Sequence, residues 1–121
     1  MANTALYTRW GQPFPGREQM GLGIFMEAIQ FYQKLQGQKE IERFSVFLME
    51  NGSLFEQQGT VVVEGSREQI QKLQQREDFQ RLVLKATHVV NDLVVTTAYT
   101  GEAVMQRIEL LQSVRKDLGI S

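Results

Sequence analysis

His88 is the only histidine in this 121-residue chain. Its ordinary pKa lies near neutrality, so it is the side chain best suited to shuttle a proton. It falls late in a helical stretch, beside Val89 and Val90 and with Asp92 just beyond, so it also reads as a half-exposed histidine at a helix end. Tyr99, near the end of an apolar strand, is the second proton handler on offer. No metal centre is expected. The chain has no cysteine, and no HExxH, His/Cys pair or carboxylate loop supplies the convergent ligands a metal needs. Ser53, Ser66 and Ser113 sit in no context resembling a nucleophile elbow.

The binding chemistry is aromatic. Tyr7, Trp10, Phe47 and Tyr99 fall on candidate strands, and those sharing a face would line a cleft with apolar bodies and polar tips. The same residues also suit core or interface packing, where aromatic side chains are enriched. Met49 joins Phe47 on one side of its strand, and Arg43, with Arg9 and Arg17, could offer a cation to an acidic group. Gly21 and Gly23 form a GxG inside a helix. That motif lacks the third glycine and preceding strand of a dinucleotide fingerprint, and fits close helix packing.

The elements that must position these residues are legible from periodicity. Leu6–Trp10 is a first strand, stopped by the two prolines of Gly11-Gln12-Pro13-Phe14-Pro15-Gly16. Leu22, Phe25, Ile29 and Tyr32 recur at the helical period from Arg17 to Gln36, and Gly37 ends that helix. In Glu42–Glu50, Ser45, Phe47 and Met49 point one way and Phe44, Val46 and Leu48 the other. Both faces of this second strand are partly apolar. The turn signal Asn51-Gly52 and the Val61-Val62-Val63 run give a third strand, hairpin-paired with the second. Ser66 and Gln69 have capping-box spacing and start a second helix. Its stripe changes phase between Gln75 and Asp78, which predicts a break there. Leu93–Tyr99 is a fourth strand. Glu102–Leu118 is a last amphipathic helix, with Val104, Ile108, Leu111 and Leu118 on one side.

Strand, helix, strand, strand, helix, strand describes an α+β domain of the ferredoxin-like βαββαβ type. It has a four-stranded antiparallel sheet, its main helices on one face and an extra C-terminal helix. One domain spans 1–121. The face without helices carries Phe47 and Met49 and needs cover, which a second copy supplies by two-fold symmetry. A homodimer through the sheet face is therefore expected.

Gly16-Arg17-Glu18, Gly65-Ser66-Arg67-Glu68, Glu77-Asp78-Phe79-Gln80-Arg81-Leu82 and Thr100-Gly101-Glu102 together resemble small bacterial proteins of the dimeric α+β-barrel group. The branch most similar to this chain has no assigned activity. Other branches include cofactor-independent monooxygenases and haem-degrading enzymes. The resemblance implies a ligand between sheet and helices. Trp10 lies on the first strand rather than in the setting the haem branch requires, and no cofactor is expected.

Composition bounds the remaining possibilities. There are 13 basic and 14 acidic residues, for a net charge of -1. Nothing in that balance draws the chain to nucleic acid or an anionic membrane. The third strand lacks the aromatic and basic residues of an RNA-stacking motif. Without a signal-peptide pattern or spanning segment, a cytoplasmic protein is expected. The leading functional expectation is a binding protein for a small apolar or aromatic molecule, held in an aromatic-lined pocket that includes Tyr7, Trp10, Phe47, Met49 and Arg43. A cofactor-independent monooxygenase or isomerase using His88 or Tyr99 is the alternative. A structural or regulatory dimerisation module is the third reading.

Overall fold

The structure, a computed structural model, describes residues 2–50 and 57–120. The turn expected at Asn51-Gly52, and Ser53, lie outside the described residues. In chain order the elements are β1 (Thr4–Trp10), α1 (Glu18–Gly37), β2 (Arg43–Leu48), β3 (Gly59–Gly65), α2 (Arg67–Gln75), α3 (Glu77–Thr87), β4 (Val94–Tyr99) and α4 (Glu102–Asp117). The four strands form one sheet in the order β2-β3-β1-β4, and every pairing is antiparallel.

Register assigns each strand residue to a face. Directly paired residues share a side of the sheet, and successive residues alternate. Phe44, Val63, Leu6 and Thr97 form one cross-strand row, and Val46, Val61, Thr8 and Val95 form the next. These rows face the helices. Leu6, Val61 and Val63 are buried in one cluster with Tyr32 and Leu35 of α1, Ile70 and Leu73 of α2 and Phe79 of α3. Each such side chain contributes about 1.5–3 kcal/mol by leaving water. The alternate rows lie on the opposite, open face: Arg43, Glu64, Ala5, Ala98; then Ser45, Val62, Tyr7, Thr96; then Phe47, Thr60, Arg9, Val94.

Local chemistry sets the helix ends. The Ser66 hydroxyl accepts the Gln69 N–H at 3.1 Å, and the Gln69 side chain accepts the Ser66 N–H at 2.8 Å, so the expected capping box is complete. The expected break falls at Arg76, which ends α2 in an extended conformation and caps α3. Its guanidinium bonds Asp78 in the first turn of α3 and Glu40 in the α1–β2 connection.

As expected, α1 ends at Gly37, and the left-handed position beyond it is Lys39, φ 61°. Lys39 N–H bonds to the Gln36 carbonyl and Glu40 N–H to the Leu35 carbonyl, the Schellman arrangement. Leu22, expected on the buried stripe, is exposed; the rest of that stripe, with Ala28 and Leu35 widening it, turns Phe25, Ala28, Tyr32 and Leu35 inward, the spacing of three and four that one packed face requires. Helix α4 buries no residue, and its expected apolar side, Val104, Ile108, Leu111 and Leu118, stays exposed. Its tie to the sheet includes the Arg107 guanidinium over the Tyr99 ring, 5.1 Å from the centroid.

Candidate functional site

Between the helix-facing rows of the sheet and the helices lies a cavity of about 90 Å³. Thr8 and Trp10 of β1, Val61 of β3 and Val95 of β4 form its floor. Phe25, Ala28 and Tyr32 of α1 and Leu82, Val83 and Ala86 of α3 form its walls. Small residues line the cavity on both helices. Ala28 and Ala86 leave space that the adjoining core fills with Leu35 and Phe79.

Trp10 is the largest side chain of the lining. Its ring packs against Phe25 at 5.5 Å between centroids, tilted by 52°. It lies over Gly59, its cross-strand partner, where a Cβ would collide with the indole. Glycine opposite tryptophan therefore lets the indole lie down on the sheet instead of standing away from it.

A strap closes the region beside Gly21. The segment after β1 and the segment after α3 are joined by Gly11 N–H to the Asn91 carbonyl at 2.7 Å, Phe14 N–H to the Val89 carbonyl at 2.7 Å and Asn91 N–H to the Gln12 carbonyl at 2.9 Å. The Arg17 guanidinium also donates to the His88 carbonyl. Gly21 packs under this strap, where a Cβ would lie 3.5 Å from Val89 and 3.7 Å from Pro13. The close approach expected at this glycine is thus to the strap rather than to the sheet.

Tyr32 is the one titratable side chain among the described residues lining the cavity. It is 4% exposed, with its ring against Phe31 at 5.4 Å and Phe44 at 5.8 Å. Burial pushes its phenol above the ordinary value of 10.0, because the phenolate would lose its hydration. The hydroxyl is held protonated at neutral pH, a hydrogen-bond donor rather than a base.

The structure separates the residues singled out from the sequence. Trp10 lines the cavity. Tyr7, Arg43 and Phe47 lie on the open face, across the sheet from it. Arg43 is engaged there by Glu64 at 2.6 Å. Met49 follows the end of β2, its N–H bonded to the Gln58 carbonyl. Tyr99 shares the helix-facing side but pairs with Thr4, at the other end of β1 from Trp10, about 20 Å along the strand at ~3.3 Å per residue. His88 caps α3 and is exposed. Its Nδ1 is 2.8 Å from the Leu84 carbonyl, in a surface groove with Met20 and Glu27. Neither expected proton handler lines the cavity. Among the described residues no group of His, Cys, Asp or Glu could hold a metal ion, and no helix is long and apolar enough to cross a membrane.

No protein-family model and no curated protein matches the chain. Solved structures resemble it. A dimeric protein of unknown function and ferredoxin-like fold from Bacteroides fragilis NCTC 9343 superposes with a TM-score of 0.59 at 7% identity, over 80% of this chain and 96% of that one. A dimeric ferredoxin-like protein of unknown function from Thermobifida fusca YX gives 0.58 at 10% identity, over 83% and 93%. The fold is ferredoxin-like. SnoaB, a cofactor-independent oxygenase from Streptomyces nogalater, shares that fold with a TM-score of 0.53 at 8% identity, over 83% and 93%.

Sequence reasoning placed Phe25 and Tyr32 on the helical stripe but did not single them out as lining residues. It missed Thr8, Leu82 and Val95 as well. The available signal was the register of β1: once Leu6 is core, Thr8 and Trp10 share its side and Tyr7 does not.

Proposed function

We propose that this protein binds a small, largely apolar molecule in the cavity between sheet and helices, as a homodimer whose two sheets meet through their open faces. The observation that carries the reading is the cavity itself. A hydrophobic core normally closes to crystal-like density, and here it stays open beside a tryptophan and a phenylalanine that would each gain by closer packing.

The dimer accounts for the open face. Phe47 is 53% exposed there, and a second sheet would cover it. The dimeric descriptions of the Bacteroides and Thermobifida neighbours are consistent with such a pairing.

Binding is favoured over catalysis because the lining presents no general base among the described residues. The test is native mass spectrometry of the gently purified protein beside an Ala28→Leu variant that fills the cavity. A dimer carrying a small-molecule mass that Ala28→Leu loses supports the reading. A monomer, or a mass retained by the filled variant, contradicts it.

A further inference from the structure

We propose that the ligand carries an acid group at its outer end: its apolar end enters the cavity past Ile24 and Val89, and its carboxylate lies in the surface groove between α1 and α3, against Lys85 and Arg81. This inference rests on the binding reading above and adds the second half of the site.

The cavity is too small for a whole ligand. At about 90 Å³ it is smaller than the ~150 Å³ engineered cavity that holds a benzene ring, so only a short apolar end fits inside. The groove adjoins it, because Ile24 of α1 and Val89, just beyond α3, line both. A molecule inserted past these two residues would leave its outer end in the groove.

Gly23 points to an occupant of that groove. It lies within α1 on ordinary helical backbone, where glycine costs about 1 kcal/mol relative to alanine. A Cβ there would meet no packed neighbour within 4 Å among the described residues, so neither backbone geometry nor packing inside this chain requires the bare position. Gly23 lines the groove. A ligand resting against the helix backbone is a contact that a side chain would obstruct.

The walls of the groove set the chemistry of the outer end. Met20 is 62% exposed there and Leu84 59%, an apolar track of the kind that marks a binding surface. Beside it Arg81 and Lys85 stand one turn apart on α3. Their partners are Glu77 at 3.3 Å and Glu27 at 3.2 Å, in pairs whose side chains are all at least half exposed. Such exposed pairs contribute little and leave both cations open to a third group. Of the two carboxylates only Glu27 lines the groove, so two fixed cations there face one anion. A ligand carboxylate would complete the balance by accepting charge-assisted hydrogen bonds from Lys85 and Arg81.

Trp10 supplies the readout, since it lines the cavity and is the chain's single tryptophan. Heptanoate and 2-heptanone, equal in carbon number and different in charge, are titrated at pH 7.5 against the wild type, Lys85→Gln and Gly23→Leu, with circular dichroism confirming each fold. The expected result is a saturable emission change with both probes, heptanoate binding at least fivefold tighter than the ketone. Lys85→Gln should lower heptanoate affinity about fivefold and leave the ketone unchanged, the scale of one exposed charge contact. Gly23→Leu introduces a better helix former, so it should melt no lower than the wild type while weakening heptanoate at least tenfold. Heptanoate binding no tighter than the ketone overturns the acid group. Wild-type heptanoate affinity in folded Lys85→Gln or Gly23→Leu overturns the role of the groove. If neither probe alters the emission, the proposal falls together with the cavity reading beneath it, an outcome distinct from ketone binding without a preference for the acid.

Discussion

The indole of Trp10 occupies the space where a side chain of Gly59 would begin. A Cβ there would collide with the six-membered ring of the indole and come within 3.0 Å of Leu48. Trp10, Gly59 and Leu48 are directly paired across three strands, so the glycine on the central one lets the aromatic ring form the cavity floor. Gly59→Ala is expected to lift the indole and to cost about 1–3 kcal/mol, the usual range for overpacking. Urea unfolding measures the cost, and a shifted Trp10 emission maximum reports the displaced ring. Wild-type stability with unchanged emission would contradict this geometry.

Lys39 holds a backbone conformation that L-residues adopt reluctantly, φ 61°, at the end of α1. Lys39→Gly removes that strain while both Schellman hydrogen bonds remain available. It is expected to stabilise the fold by roughly 0.5–1 kcal/mol after the added freedom of the unfolded chain is counted. Thermal unfolding checks it, with Lys39→Ala as the near-neutral control.

Asp78 gives the fold a defined acid limb. Its hydrogen bond from Arg76 is the largest of the effects that hold its carboxyl below the ordinary 3.8, and the Phe79 N–H reinforces it. Because the folded value is depressed, this stabilisation is fully present above the unfolded pKa and is lost as pH falls through the folded one. Asp78→Asn is therefore expected to be less stable than wild type at neutral pH. The gap should begin to narrow below about pH 4, where the unfolded carboxylate starts to protonate, and close as the pH falls through the lower folded value. Denaturation midpoints measured from pH 2.5 to pH 7 follow the convergence. The pair is partly exposed, and added salt should shrink the difference.

Phe47 lies at the exposed edge of the open face, in a row with Thr60, Arg9 and Val94. Phe47→Asp would place a charge in a sheet-to-sheet interface while leaving the helix-facing core untouched. The expected outcome is a monomer by sedimentation velocity at concentrations where the wild type is a dimer, with the far-ultraviolet spectrum unchanged. A stable Phe47→Asp dimer would rule out pairing through this face.

Much of this architecture was legible in the sequence, for identifiable reasons. The period of two along β2 separates Phe44 and Val46 from Ser45 and Phe47, although both faces carry apolar residues. Ser66 and Gln69 carry the capping box in their spacing, and the phase change near Arg76 marked the break between α2 and α3. The cavity was harder to read because β1 carries aromatic rings on both parities, Tyr7 on one and Trp10 on the other. Composition cannot choose between them. The choice is made by Leu6 pairing with Val63 and Thr97, a long-range relationship. The rotation of α1 was likewise ambiguous, since exposed Leu22 is as apolar as buried Leu35. In α4 no element among the described residues buries the expected side, and Met105, Leu110 and Val114 are exposed beside it.

The central claim, that a small molecule enters between the sheet and the helices, is tested most directly by methyl NMR of the valines during addition of 2-heptanone. Val61 and Val62 are neighbours on β3 and Val94 and Val95 are neighbours on β4, and in each pair one faces the cavity and the other the open side. The account predicts saturable shifts at Val61 and Val95, accompanied by Leu82, while Val62 and Val94 stay in place. Shifts at Val62 and Val94 without the cavity-facing pair, or no shifts at any of them, would contradict it.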